Sequence, residues 1–185
     1  MLNAHWIWTA QDDDTAYNQT VIARKTFNLD EIHSADLAIT ADSAYRLFIN
    51  GRWVVDGPAR AWPEHYQYDL LDVASYLQSG ENEIRVIAKF WGTGTFHQVP
   101  QQAGLLVQLD VNAGGDDAQM IASDESWQVA KARAWVPNTP KISIQMAPQE
   151  FYDARLEDDL TFEPATVLFD AAEGPWADLH PRDVP

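Results

Sequence analysis

The segment Arg60-Ala61-Trp62-Pro63-Glu64-His65-Tyr66 puts a guanidinium, an indole, a carboxylate, an imidazole and a phenol within seven residues. Such a set suits a sugar: a flat aromatic ring meets its C–H face, and charged groups meet its hydroxyls. Phe90 to His97 (FWGTGTFH) follows a strand-like run and could line the same face, adding Trp91 and His97. Its glycines would allow a ligand or another backbone to come close. The carbohydrate-binding candidates are therefore Arg60, Trp62, His65, Tyr66, Trp91 and His97. The competing expectation is that these aromatics pack beneath long loops or against a neighbouring domain, since large aromatic patches mark protein interfaces.

Glu150, Tyr152, Asp153 and Arg155 form a second group. Arg and carboxylate favour bidentate pairing, so a structural or interdomain role is expected for these four. Glycoside hydrolysis needs two carboxylates facing each other across a cleft. The chain has 28 Asp and Glu, enough for chance pairs, and most lie in loops such as Asp12-Asp13-Asp14, Asp116-Asp117 and Glu157-Asp158-Asp159. They are read as solvated surface, and no catalytic residue is assigned. Asp12 to Asp14, Asp42 or Asp56 could offer oxygens to a calcium ion, but no spacing matches an EF-hand loop. The five histidines show no metal-ligand spacing. No metal site and no cofactor are expected, with calcium as the exception left open.

The elements that must position these groups are short strands separated by turns, which argues for an all-β sandwich. Ala44 to Ile49 places Tyr45, Leu47 and Ile49 on one face. Asn50-Gly51 follows, then Trp53-Val54-Val55; the pair predicts a type I′ hairpin, because both residues tolerate positive φ. Glu83 to Phe90 and Gly104 to Val111 alternate best, and Thr20 to Phe27 and Asp36 to Thr40 add further strands. Asp72 to Leu77 predicts one helical turn capped by Asp72. Phe151 to Leu156 and Thr166 to Phe169 are expected as late strands. Residues 1–160 are expected to form the sandwich with an N-terminal arm, and residues 161–185, rich in proline and turns, a linker toward a following domain.

The chain has 185 residues, no cysteine and a net charge of −16. Thiol chemistry, disulfides and zinc–thiolate sites are excluded. The negative field disfavours nucleic acid and anionic membranes as partners. No signal peptide is visible, which makes the cytoplasm the expected location.

Three pieces carry a family resemblance: LFINGRWVVDGPAR (47–60), YDLLDVASYL (68–77) and SGENEIRVIA (79–88). Their order resembles the N-terminal domain of bacterial α-L-rhamnosidases. Trp6-Ile7-Trp8, Arg24-Lys25-Thr26-Phe27, Glu150 to Arg155 and Trp176 to Pro185 are similar to flanking segments of that domain. The resemblance implies a galactose-binding-like jelly roll, an antiparallel β-sandwich. It also implies a parent glycoside hydrolase whose catalytic carboxylates sit on a later (α/α) barrel, absent from this chain. The expected function is a non-catalytic accessory module that packs on or orients the catalytic domain of the same polypeptide. The alternative is a carbohydrate-binding module for rhamnosylated glycans.

Overall fold

The computed structural model describes residues 2–10, 16–96, 98–176 and 178–183. Thirteen strands among them form two sheets. They are β1 (His5–Trp8), β2 (Gln19–Leu29), β3 (Ala35–Asp42), β4 (Ala44–Ile49), β5 (Arg52–Gly57), β6 (Tyr66–Asp72), β7 (Gly80–Phe90), β8 (Gly104–Val111), β9 (Gln119–Ala122), β10 (Gln128–Lys131), β11 (Glu163–Pro164), β12 (Thr166–Asp170) and β13 (Leu179–Pro181). One sheet runs β12-β1-β8-β3-β6-β13, with β9 also on β8; the other runs β11-β10-β2-β7-β4-β5. Every pairing is antiparallel except β13 on β6, which is parallel. The chain is an all-β sandwich, as expected.

Alternation builds the main core. Leu37 and Ile39, Leu47 and Ile49, Ile84 and Val86, and Val107 and Leu109 are all inaccessible between the sheets. Burying such a side chain stabilises by about 1.5–3 kcal/mol. In β2 and β7 the register holds from Gln19 opposite Phe90 to Leu29 opposite Gly80, making this pair the spine of its sheet. β8 departs from simple alternation, because Leu106 and Gln108 are buried too. Leu106 belongs to a second cluster, with Trp6, Tyr66 and Trp176, on the other side of the same sheet.

The Asn-Gly hairpin forms as predicted. Asn50 and Gly51 have φ of 50° and 73°. The Asn50 amide also joins the two most recognisable sequence pieces. It donates to Asn82 Oδ1 at 2.8 Å and accepts from the Glu83 backbone N–H at 2.9 Å. Asn82 in turn accepts from the Gln78 N–H and donates to the carbonyls of Gln78 and Gly80.

Two local expectations are corrected. The helical turn is a short 3-10 turn, Ala74–Tyr76, and its cap position is Val73, not Asp72. Asp72 still accepts from the Ala74 N–H at 3.1 Å, one residue out of place. Phe151 to Leu156 is not a strand. It makes one isolated bridge, Tyr152 to Trp135, and then a 3-10 turn, Ala154–Leu156, because the Asp153 carboxylate caps the Arg155 N–H and turns the chain. The N-terminal arm is a sheet strand, with Trp6, Ile7 and Trp8 buried. Residues 161–183 carry β11, β12 and β13, with β12 where a late strand was expected at Thr166 to Phe169, and Trp176 is inaccessible.

Charge is divided unevenly between the sheets. The strands of the seven-stranded sheet hold no Lys or Arg and six acids: Asp36, Asp42, Asp69, Asp72, Asp110 and Asp170. The strands of the other sheet hold Arg24, Lys25, Arg46, Arg52, Arg85, Lys89 and Lys131 against Asp56, Glu81, Glu83 and Glu163. No helix among the described residues is long and apolar enough to cross a membrane.

Candidate functional site

The loops before β6 and after β7 do meet. Arg60, Ala61, Trp62, Thr95, Phe96, Gln98 and Val99 line a pocket of about 260 Å³ at one end of the sandwich. Trp62 begins a tight turn, Trp62-Pro63-Glu64-His65, closed by the His65 N–H on the Trp62 carbonyl at 3.0 Å. Proline in the second position pre-sets the turn. Trp62 is left 62% exposed, standing at the pocket edge. On the other side, the Thr95 N–H donates to the Gln98 carbonyl and the Gln98 N–H to Thr95 Oγ1, which turns Phe96 outward.

Beneath this pocket lies a polar network that the sequence did not announce. The buried Gln98 side chain donates to Tyr66 Oη at 2.8 Å and to Asp42 Oδ1 at 3.2 Å. Asp42 is inaccessible and also accepts from Ser43 Oγ, the Gln101 N–H and Trp176 Nε1. Burial raises its carboxyl above the ordinary value, and these four donors only partly oppose that rise. Asp42 was considered as a calcium ligand; its oxygens are instead engaged by protein donors. Asp56, the other strand acid considered, is held by Arg46 Nε and Nη2 at 2.8 and 2.7 Å and lies below the ordinary carboxylate range. Among the described residues no group of three His, Cys, Asp or Glu could hold a metal ion. Asp12 to Asp14 lie outside the described residues.

The expected binding residues do not all converge. Arg60 and Trp62 line the pocket. Tyr66 is a core residue, 1% exposed, whose hydroxyl donates to the Ala41 carbonyl. His65 stacks on His180 with 3.7 Å between ring centroids. Trp91 is half-buried and away from the pocket, its backbone N–H donating to Ser43 Oγ and its carbonyl accepting from Asn18. His97 lies outside the described residues. The pocket partners Phe96 and Val99, which sequence reasoning did not single out, sit in a loop without period.

The second group sits on the excursion between β10 and β11, which crosses the outer face of the six-stranded sheet. Glu150 pairs with Lys89 at 2.6 Å, and Tyr152 packs edge-on against Trp135. The Arg155 fork holds Asp153 at 2.8 and 2.6 Å, and with the Arg155 N–H it lowers that carboxyl to about 2. The bidentate pair expected from the sequence thus exists, as a local clasp two residues long.

The same excursion brings Ile142, Ile144 and Met146 beside the pocket. The Phe96 N–H donates to the Gln145 carbonyl, and Lys141 Nζ to the Gly94 carbonyl. Ile142 and Ile144 are 73% and 78% exposed.

Comparisons with known proteins bear on this arrangement. The chain matches the alpha-L-rhamnosidase N-terminal domain over residues 30–165. It is 30% identical over 137 residues to an alpha-L-rhamnosidase of Streptomyces avermitilis, covering 69% of this chain and 13% of that enzyme. A solved GH78 family rhamnosidase of Bacillus sp. GL1 superposes with a TM-score of 0.90 at 30% identity, over 100% of this chain and 20% of that one. A lectin of Pleurotus ostreatus shares the fold, with a TM-score of 0.59 at 20% identity over 95% of this chain and 44% of the lectin. The chain therefore spans a small part of the rhamnosidases it matches.

Proposed function

The chain belongs to the alpha-L-rhamnosidase N-terminal domain family, and from that premise we propose that it is a non-catalytic accessory module of a longer glycoside hydrolase, packing on the catalytic domain of the same polypeptide. The observation that carries this reading is the apolar surface at the pocket end. Trp62, Phe96, Val99, Ile142, Ile144 and Met146 are all exposed there. Contiguous apolar surface of this kind is a mark of interfaces, and bulky aliphatic side chains are poor partners for hydroxyl-rich ligands. The experiment is an I142E/I144E variant made in the isolated chain and in the full-length enzyme. The isolated chain should keep its melting temperature, since both residues are surface-exposed. The full-length enzyme should melt lower. Equal melting of variant and parent in the full-length enzyme would remove the docking claim.

A second reading rests on the pocket itself. Trp62 as a platform with Arg60 at hand suits a neutral sugar ring, and rhamnosylated glycans are the proposed ligands. Calorimetric titration with L-rhamnose, with and without calcium, tests it. Saturable heat abolished by Trp62→Ala supports the reading; absence of heat in both conditions leaves the accessory role alone.

A further inference from the structure

We propose that the outer face of the six-stranded sheet holds a second, anion-selective site, built around Arg24 and Arg85, that takes a carboxylate-bearing sugar within a glycan chain. This rests on the reading that the longer protein handles glycans, but uses a different face and different residues from the pocket beside Trp62.

The sheet register sets the site. Arg24 on β2 lies directly opposite Arg85 on β7. Both alternate with core residues, Ala23 and Val86 among them, so both project away from the core. Four cations share this face. Arg46 is neutralised by Asp56 and Lys89 by Glu150. Arg24 and Arg85 are in no such ion pair among the described residues. Arg24 donates through Nε and Nη2 to the neutral Gln128 Oε1 and lies over the Phe162 ring at 3.7 Å. The half-buried Arg85 has no hydrogen bond or ion pair among the described residues; its electrostatic neighbour is Tyr152, a ring that Glu157 and Asp158 also approach.

Like charges directly opposite one another on a sheet destabilise it. Here two such cations stand side by side in a chain of net charge −16, so acids were not in short supply to pair with them. Held by Gln128 and Phe162, the Arg24 fork is already ordered, which lowers the entropy cost of binding. A carboxylate between the two forks would remove the repulsion and gain charge-assisted hydrogen bonds.

The rest of the row indicates what carries the carboxylate. Successive register pairs give Gln128, Arg24, Arg85, Phe48 and Trp53 in line across five strands. At about 4.8 Å per strand the line is roughly 19 Å long. Trp53, 58% exposed, ends it, with Nε1 tied to Asp56 at 3.0 Å. An amide, two guanidinium planes and two aromatic rings in a line suit successive sugar rings, whose hydroxyls and C–H faces they can meet in turn. The patch at Ile142 and Ile144, by contrast, is aliphatic, as a protein interface would be.

The test is calorimetric titration of the chain with tetragalacturonate, its methyl ester, sodium sulfate and L-rhamnose, using the parent chain, R24Q and R85Q. Saturable heat with tetragalacturonate, at least about tenfold weaker in each variant and absent with the neutral ester, is expected. R85Q should melt at or above the parent temperature, because it relieves the opposed charges. No binding of tetragalacturonate, or binding indifferent to both substitutions, overturns the proposal. So does sulfate competing at equal concentration, which would make the face a simple anion site. L-rhamnose heat that survives R24Q and R85Q would leave the Trp62 pocket standing whatever happens here.

Discussion

Trp6 and Trp176, near opposite ends of the chain, stack with 4.0 Å between ring centroids and 27° between planes. Both are inaccessible. Gly104 makes room for them: a Cβ there would sit 2.9 Å from Trp6 and 3.0 Å from Trp176. Trp176 Nε1 also reaches the buried Asp42 carboxylate. The second hydrophobic cluster is therefore closed by a residue that arrives late in the chain.

Trp176→Ala should cost about 3–5 kcal/mol, as for truncation of a large core aromatic. Chemical denaturation checks this. A loss below about 1 kcal/mol would mean that the C-terminal segment is detachable, not part of the core.

Removing the Arg182 guanidinium should also weaken the fold. Arg182 Nη1 donates to Asp69 Oδ1 at 3.0 Å, and Asp69 is almost inaccessible, its other oxygen engaged by the Tyr45 hydroxyl. Arg182→Ala would leave a buried carboxylate with one donor fewer. Uncompensated buried charges cost about 3–5 kcal/mol, discounted here to about 1–3 kcal/mol because the arginine itself is part-exposed. Equal denaturation midpoints for variant and parent would contradict this.

Asp42 gives a pH dependence of definite sign. Its folded-state carboxyl is raised above the ordinary 3.8 by burial, so the native state binds the proton more tightly than the unfolded chain. Its contribution is fully present below pH 3.8 and is lost as pH rises through the raised folded value. In urea unfolding across that window, the stability of the parent minus that of Asp42→Asn should fall as pH rises. Asp42→Asn should itself be less stable at low pH, since one amide oxygen cannot replace two carboxyl oxygens facing four donors. A flat difference would show that Asp42 does not titrate in that window.

The strands were legible where one face is buried and the other wet. Tyr45, Leu47 and Ile49, or Ile84, Val86 and Ala88, carry the period of two in the sequence and in the fold. Asn50-Gly51 was legible because its backbone chemistry is local. Within residues 161–183, Thr166 to Phe169 was legible as a strand, but β11 and β13 were not, since strands of two and three residues held by partners far away leave no period of their own. Tyr66 looked like a binding residue for the same reason. Its neighbours Trp62 and His65 share its composition, but β6 begins at Tyr66, and there the ring turns inward against Trp6 and Trp176. The convergence of the Trp62 and Phe96 loops was anticipated from their order around the strands. The Asp42 network was not, because its partners Gln98, Gln101 and Trp176 come together only through the fold.

The three late strands share a further property. β11 lies along the outer edge of β10, β12 along β1, and β13 along β6. Open strand edges offer rows of unpaired N–H and C=O groups to any passing chain. A protein ending at residue 160 would bare three of them at once, one on the six-stranded sheet and two on the other. The last strands thus act as selvedges, and their loss would be felt first as insolubility, with the inner strands still able to pair.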